Sequence, residues 1–320
     1  MARHVFRLLA CGLLGLGAAL AACANLDGLT GATGAGVDAG GEPRDGATES
    51  APPDATADAA RGTSCRWDAP FSTPRLILTT LAGDDGVAQP QLSPDELVMY
   101  FQVRQGSNSD FYRTSRTSRE GEFGPRVAIT ELNDSTANDT NIALRADGLL
   151  SVFTSNRADA SVPPELYVSR RTGVAQPFEP PSAITTLGPT PEKSSGFITK
   201  DGAELWFSVI NGTARETYLS PITPAGFGQA TPRPDVAGWF PVLSDDKLTI
   251  YYALGQSSID NAVRVAHRAG PLDAFPISSL VNEINAGGES PSWLSPDQCR
   301  LYITSRRNVR PEIFVAERVP

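Results

Sequence analysis

A chain of 320 residues with 40% hydrophobic and 20% charged side chains can bury the core of one large domain or a few ordinary ones, which excludes global disorder. The formal net charge of −9 leaves no cationic footprint for neutralising phosphates, so nucleic acid is excluded as a partner. Two histidines leave little room for acid–base or zinc chemistry, while 29 Gly and 26 Pro put turn-formers well above their usual share and predict many short elements.

Arg3 and Arg7 lead into Leu8 to Ala22, a run of 15 apolar and small residues that ends just before Cys23. This reads as a secretory signal. As a helix it would span about 22 Å at about 1.5 Å per residue, short of the roughly 30 Å hydrocarbon core of a bilayer. The segment Leu20-Ala21-Ala22-Cys23 resembles the bacterial lipobox. That resemblance implies cleavage after residue 22, acylation of Cys23 and a membrane partner through the anchor; Ala24 in place of Asp implies an outer-membrane destination. A plain signal cut after Ala22 or Ala24 is the alternative. Ala24 to Ser64 contains ten Ala, eight Gly, five Asp, five Thr and no aromatic residue. Such a composition cannot offset chain entropy. Residues 23–64 therefore read as a lipid-anchored disordered linker, with a root-mean-square reach of about 35 Å, and residues 65–320 as the folded domain.

Within that domain a turn motif recurs: Ser93-Pro94-Asp95-Glu96, Arg145-Ala146-Asp147-Gly148, Thr199-Lys200-Asp201-Gly202, Ser244-Asp245-Asp246-Lys247 and Ser295-Pro296-Asp297-Gln298. Its aspartates stand 52, 54, 45 and 51 residues apart. Ser first, Pro second and Gly last are type I turn preferences. Five residues after each aspartate come Tyr100, Val152, Trp206, Tyr251 and Tyr302, followed by Phe101, Phe153, Phe207, Tyr252 and Ile303. Large β-formers on both faces predict a sheet covered on both sides. A further strand runs through Phe111-Tyr112, Leu166-Tyr167, Thr217-Tyr218, Ala262-Val263 and Ile313-Phe314, and then a segment led by Phe123, Phe178, Phe227 or Phe275. With the short run before each turn, every unit has four strands, the pattern of a β-propeller blade.

Phe71 to Leu78 looks like the fourth strand of a unit whose first three strands are missing, and the last unit runs only to its third strand. A blade shared between the two ends closes the ring and removes its exposed edges. The fold class expected is all-β: a five-bladed propeller of four-stranded antiparallel blades, the last completed by the N-terminal strand.

Repeats of the form Ser-Pro-Asp-Gly, aromatic strand, Ser-x-Arg resemble the WD-like propeller repeats of the TolB type. The motif survives best in Ser295 to Arg307 and Asp147 to Arg157; the fourth unit lacks the arginine and the third ends in Ile210-Asn211-Gly212. The resemblance implies protein partners in the periplasm, but propellers host many unrelated activities. Cys65 and Cys299 are the two cysteines of the domain and, in an oxidising compartment, read as a disulfide locking the clasp.

Candidate chemistry is thin. Asp95, Asp147, Asp201, Asp246 and Asp297 are expected to accept hydrogen bonds within their own turns. Ser244-Asp245-Asp246-Lys247 matches a Ser-x-x-Lys pattern but falls on a turn, and His267 reads as a surface residue. Asp85, Asp139, Glu192, Asp235 and Glu289 stand eight to eleven residues before the turn aspartates, on the loops entering the innermost strands. They are expected at one mouth of the channel with Arg104, Arg157 and Arg307, as surface ion pairs or as a polar binding mouth. No cofactor or metal is expected. The functional expectation is a non-enzymatic cell-envelope lipoprotein binding a protein or carbohydrate partner. The alternative is a carbohydrate-active hydrolase, which needs two inward carboxylates about 5 to 10 Å apart.

Overall fold

The computed structural model describes residues 65–319 apart from 160, 189 and 190. The expected signal, the Cys23 anchor and the linker at 23–64 lie outside the described residues. Five antiparallel sheets follow one another, each with its first strand innermost. The first blade comprises Gly86–Leu92, Val98–Gln105, Asn108–Ser115 and Val127–Ala128, and the second Asp139–Leu144, Leu150–Ser155, Glu165–Arg170 and Ser182–Ala183. The third has Glu192–Ile198, Glu204–Asn211 and Ala214–Thr223, with an outer position split between Gly226–Phe227 and Thr231–Pro232. The fourth runs Trp239–Leu243, Thr249–Leu254, Ala262–His267 and Ser279–Leu280. In the fifth, Ser290–Leu294, Arg300–Asn308 and Arg310–Glu317 are completed by Arg75–Leu78. Contacts between successive innermost strands run from blade to blade and return from the fifth to the first, closing the five-bladed propeller.

The paired aromatic positions explain why the sheets stack. All ten residues five and six places after the turn aspartates are buried, so each second strand is covered on both faces. The core divides into five clusters, each shared by two neighbouring blades. Phe111 meets Phe153 edge-on across the first seam at 5.2 Å between ring centroids, and Trp206 meets Phe275 across the third at 6.4 Å. Burying one such ring contributes about 1.5–3 kcal/mol. Each outermost strand starts four residues after its leading phenylalanine; the third blade departs because its third strand extends into a hairpin through Gly226, whose φ is +118°.

Four arginines immediately after the third strands clamp the seams. Arg116, Arg171, Arg268 and Arg318 each stack on the leading phenylalanine of their own blade, with the guanidinium carbon 4.2–4.5 Å from the ring centroid. Each also donates its Nε–H to a backbone carbonyl of its own blade's turn, at Glu96, Gly148, Lys247 or Gln298. Three of them reach the preceding blade: Arg116 donates to the Tyr302 hydroxyl, Arg171 to Tyr100 and Arg318 to Tyr251. The preceding blade offers Arg268 a tryptophan, Trp206, in place of tyrosine, and Arg268 Nη2 is buried without a partner among the described residues. Val152 of the second blade has no hydroxyl, and the third blade has Ile222 where an arginine would reach for one.

The ring closes where its two ends meet. Arg75 lies opposite Val315, Phe71 bridges to Arg318, and Ser72 N–H donates to Glu317 O at 2.7 Å. Cys65 and Cys299 form the expected disulfide, with Cα atoms 5.7 Å apart.

Candidate binding site at the channel mouth

The turn aspartates fix one face of the ring. Asp95, Asp147, Asp201, Asp246 and Asp297 each accept the N–H two residues on, at 2.9–3.1 Å. Four also accept the hydroxyl that opens the turn, and Arg145 takes that role in the second blade. The Ser93 hydroxyl and then the Leu97 N–H hold Asp95 below the usual carboxylate range. Burial pushes Asp297 the other way, but bonds from Ser295 and Cys299 outweigh it. These five carboxylates are occupied in holding turns.

The opposite mouth lies at the start of the innermost strands, and each of those strands carries a register shift in mid-course. Gln89, Asn141, Ser195 and Phe240, each six residues before its turn aspartate, have φ between 53° and 56°. For a ring as bulky as Phe240 this backbone is strained, and such strain concentrates at functional sites. The fifth equivalent is Pro291, whose ring forbids positive φ. The bulges are capped across seams: Gln89 N–H donates to Thr304 Oγ1 and Asn141 N–H to Gln102 Oε1, both at 2.8 Å. Thr304 and Gln102 stand seven residues after their turn aspartates. In the fourth blade that place is Ala253, and the blade it precedes has Pro291, so the missing acceptor is matched by a missing donor. In the second and third blades it holds Thr154 and Ser208, whose hydroxyls are buried without partners among the described residues.

A cavity of about 150 Å³ opens here, its wall including Gln89, Gln102, Arg104, Asn141, Phe240, Thr304 and Arg306. None of the five acids singled out in the sequence forms part of that wall. Asp139 is fully buried: one oxygen takes Arg157 at 2.7 Å and the other the Asp134 N–H at 2.7 Å. Glu289 is fully buried and accepts from Ser305, from Arg307 at 3.4 Å and from the N–H groups of Ala286 and Gly287. Arg157 and Arg307 also bond the carbonyls of Leu132 and Ile284, so the Ser-x-Arg motif ties the inter-blade loop to the second strand. Asp85 accepts the Gly106 N–H. Asp235 joins Arg233 and the Phe275 N–H; burial raises its pKa, yet these bonds carry it below the usual range. Glu192 is half-buried and pushed up by desolvation. Among the described residues no three His, Cys, Asp or Glu side chains are grouped to hold a metal ion. His267 lies away from this mouth, with Nδ1 at 2.9 Å from Thr249 Oγ1 and its ring edge-on to Trp67.

Sequence reasoning missed the seam arginines, though their place just before each Phe-led segment was visible. It also selected Arg307 where its neighbour Arg306 faces the cavity.

No protein-family model matches the chain, and no curated protein sequence matches it. Among solved structures, the α-L-arabinofuranosidase PaAbf62A of Podospora anserina is similar, with a TM-score of 0.51 and 9% identity over 81% of this chain and 99% of that one. TolB of Acinetobacter baumannii is similar with a TM-score of 0.47 and 18% identity, over 73% of this chain. The match spans only 55% of that TolB. At 9% identity the likeness to the arabinofuranosidase is one of fold alone.

Proposed function

We propose that this protein is a non-enzymatic binding propeller of the bacterial cell envelope, acylated at Cys23 and recognising its ligand at the mouth where the innermost strands begin. One observation carries the reading: this mouth is walled by amides, hydroxyls, a strained aromatic and arginines, while Asp139 and Glu289 behind it are closed off in bonds. Such a wall can orient a ligand by hydrogen bonding; it offers no free pair of carboxylates for glycosidic cleavage. The proposed attachment is the lipid on Cys23, which rests on the lipobox resemblance of Leu20-Ala21-Ala22-Cys23; no helix among the described residues is long and apolar enough to cross a membrane. Stable anchoring takes more than one acyl chain, as the lipobox resemblance implies.

Photo-crosslinkers at Ser258 on this mouth and at Lys200 on the turn face test the site in cells. Capture from Ser258 alone is expected; equal capture from both contradicts it. Loss of fatty-acid labelling in Cys23→Ser is the matching test of the anchor.

A hydrolase reading has one observation in its favour. Burial and the nearby Asp139 carboxylate raise the pKa of half-buried Asp110, the behaviour of a general acid. Hydrolysis of any envelope polysaccharide by the wild type and not by Asp110→Asn would establish it.

A further inference from the structure

The cavity at the strand-start mouth is lined by two guanidinium groups that no carboxylate among the described residues neutralises. Arg104 and Arg306 come from the second strands of the first and fifth blades and line the same wall. Among the described residues neither forms an ion pair within 4.0 Å. Arg306 is half-buried and Arg104 exposed at the cavity's rim, and burial, then the charge of Arg104, pull the pKa of Arg306 down. The neighbouring acids are turned to other groups. Asp84 joins Arg126 and Gln105, Asp85 takes the Gly106 N–H, Glu312 takes Thr79, Thr80 and Asn308, and Glu289 is tied to Arg307. In a chain of net charge −9, an unneutralised arginine pair in a cavity is a local exception that calls for an anion.

The rest of the wall narrows the chemistry. Gln102 has its carbonyl oxygen fixed by Asn141 N–H, which leaves its NH₂ group without a protein partner among the described residues. Thr304 Oγ1 accepts from Gln89 and keeps its own proton to donate. Phe240, steadied by Trp239 at 5.1 Å between ring centroids, contributes an apolar ring. A space of about 150 Å³ accommodates one six-membered ring. Hydroxyl partners, an aromatic and a forked cation pair together suit a ring that carries several hydroxyls and one carboxylate.

We propose that this mouth binds a sugar acid, its carboxylate held by Arg104 and Arg306 and its hydroxyls by Gln102 and Thr304. The proposal rests on the binding reading above and assigns that site its ligand class. Neither arginine supports the fold through an ion pair, so substitutions there leave the propeller intact, as circular dichroism verifies.

The test titrates the full-length acylated protein in detergent with glucuronate, glucose and inorganic phosphate, followed by calorimetry and ligand-observed NMR. Glucuronate is expected to bind. Its affinity should fall about tenfold in Arg104→Gln or Arg306→Gln and about a hundredfold in the double variant, as loss of charge-assisted bonds requires. Added salt should weaken it. Glucose should bind at least about tenfold more weakly, since it lacks the carboxylate. Undiminished glucuronate binding in the double variant, equal binding of glucose, or no binding of glucuronate overturns the proposal. Phosphate binding as tightly as glucuronate also overturns it, by reducing the site to a general anion hole. If glucuronate fails while crosslinking from Ser258 still captures a ligand, the sugar acid falls and the binding reading survives; if both fail, both fall.

Discussion

The two faces of this propeller are made from the same repeat and end in opposite states. On the turn face each of the five repeat aspartates is bonded within its own turn, and at four of the five seams an arginine stacks on a phenylalanine and caps a turn carbonyl. On the other face four of the five innermost strands bulge into left-handed backbone, and two arginines have no counter-charge within 4.0 Å among the described residues. Carboxylates near a channel therefore do not by themselves mark a site: those on the turn face hold the scaffold, and Asp139 and Glu289 hold the loops behind the mouth. The groups left over for a ligand are the ones the scaffold does not use.

If the turn face carries stability, the largest loss should come from its clasp. Replacing Cys65 and Cys299 together by serine releases a loop with a sequence separation of 234 and should cost roughly 5.5 kcal/mol in the chain-entropy view. Thermal melting should then fall by about 10 °C or more; an unchanged melting temperature would mean that the strand pairing at Arg75–Leu78 suffices alone.

Next comes Glu96, fully buried on the first turn and bonded by Arg300 and by the Tyr302 hydroxyl at 2.8 Å across the first–fifth seam. Burial, then the Glu96 charge, push that hydroxyl's pKa up. Glu96→Gln strands buried guanidinium charge and should cost about 3 kcal/mol in urea unfolding; a cost below about 1 kcal/mol would show that water enters the seam.

Tyr100→Phe, which removes only the bond from Arg171, should cost about 1 kcal/mol. Its cost measures one clamp.

Acid should loosen the turn face in a definite window. Asp95, Asp147, Asp201 and Asp297 have folded pKa values below their unfolded ones. Their contribution is complete above the unfolded carboxylate value near 4 and is lost as pH falls through the lowered folded values. His267 has a folded pKa below its ordinary 6.5, burial being the main cause, so its smaller contribution is present above that value and declines as pH falls through the folded one. Melting temperatures followed from neutral to acid pH should show a shallow step and then a steep one; stability rising on acidification would reverse both assignments.

The fold was legible because its signals are local and recur: a turn signature, aromatic pairs at fixed offset, a phenylalanine four residues ahead of each outer strand. The shared last blade was legible because the missing pieces at the two ends match. The candidate site was not, and for a physical reason. The acids before each turn were found by spacing, but whether a carboxylate faces the channel or folds back on an arginine depends on contacts such as Asp134 N–H to Asp139 and Arg307 to Glu289. The bulge at Gln89, Asn141, Ser195 and Phe240 has no shared residue type to announce it. Arg306 and Arg307 are adjacent, and strand alternation sends one to the channel and the other to Glu289, a distinction that requires knowing the register.

That adjacent pair provides the most direct test of the division between scaffold and site. Melting of Arg306→Gln and Arg307→Gln should be measured side by side, with and without glucuronate. The account predicts that Arg307→Gln, which uncouples buried Glu289, loses about 3 kcal/mol, or about 6 °C or more. Arg306→Gln, which breaks no ion pair or side-chain hydrogen bond among the described residues, should melt like the wild type, within about 1 °C, and should alone show a diminished shift with glucuronate. Equal destabilisation by the two substitutions, or a glucuronate shift undiminished in Arg306→Gln and diminished in Arg307→Gln, would contradict it.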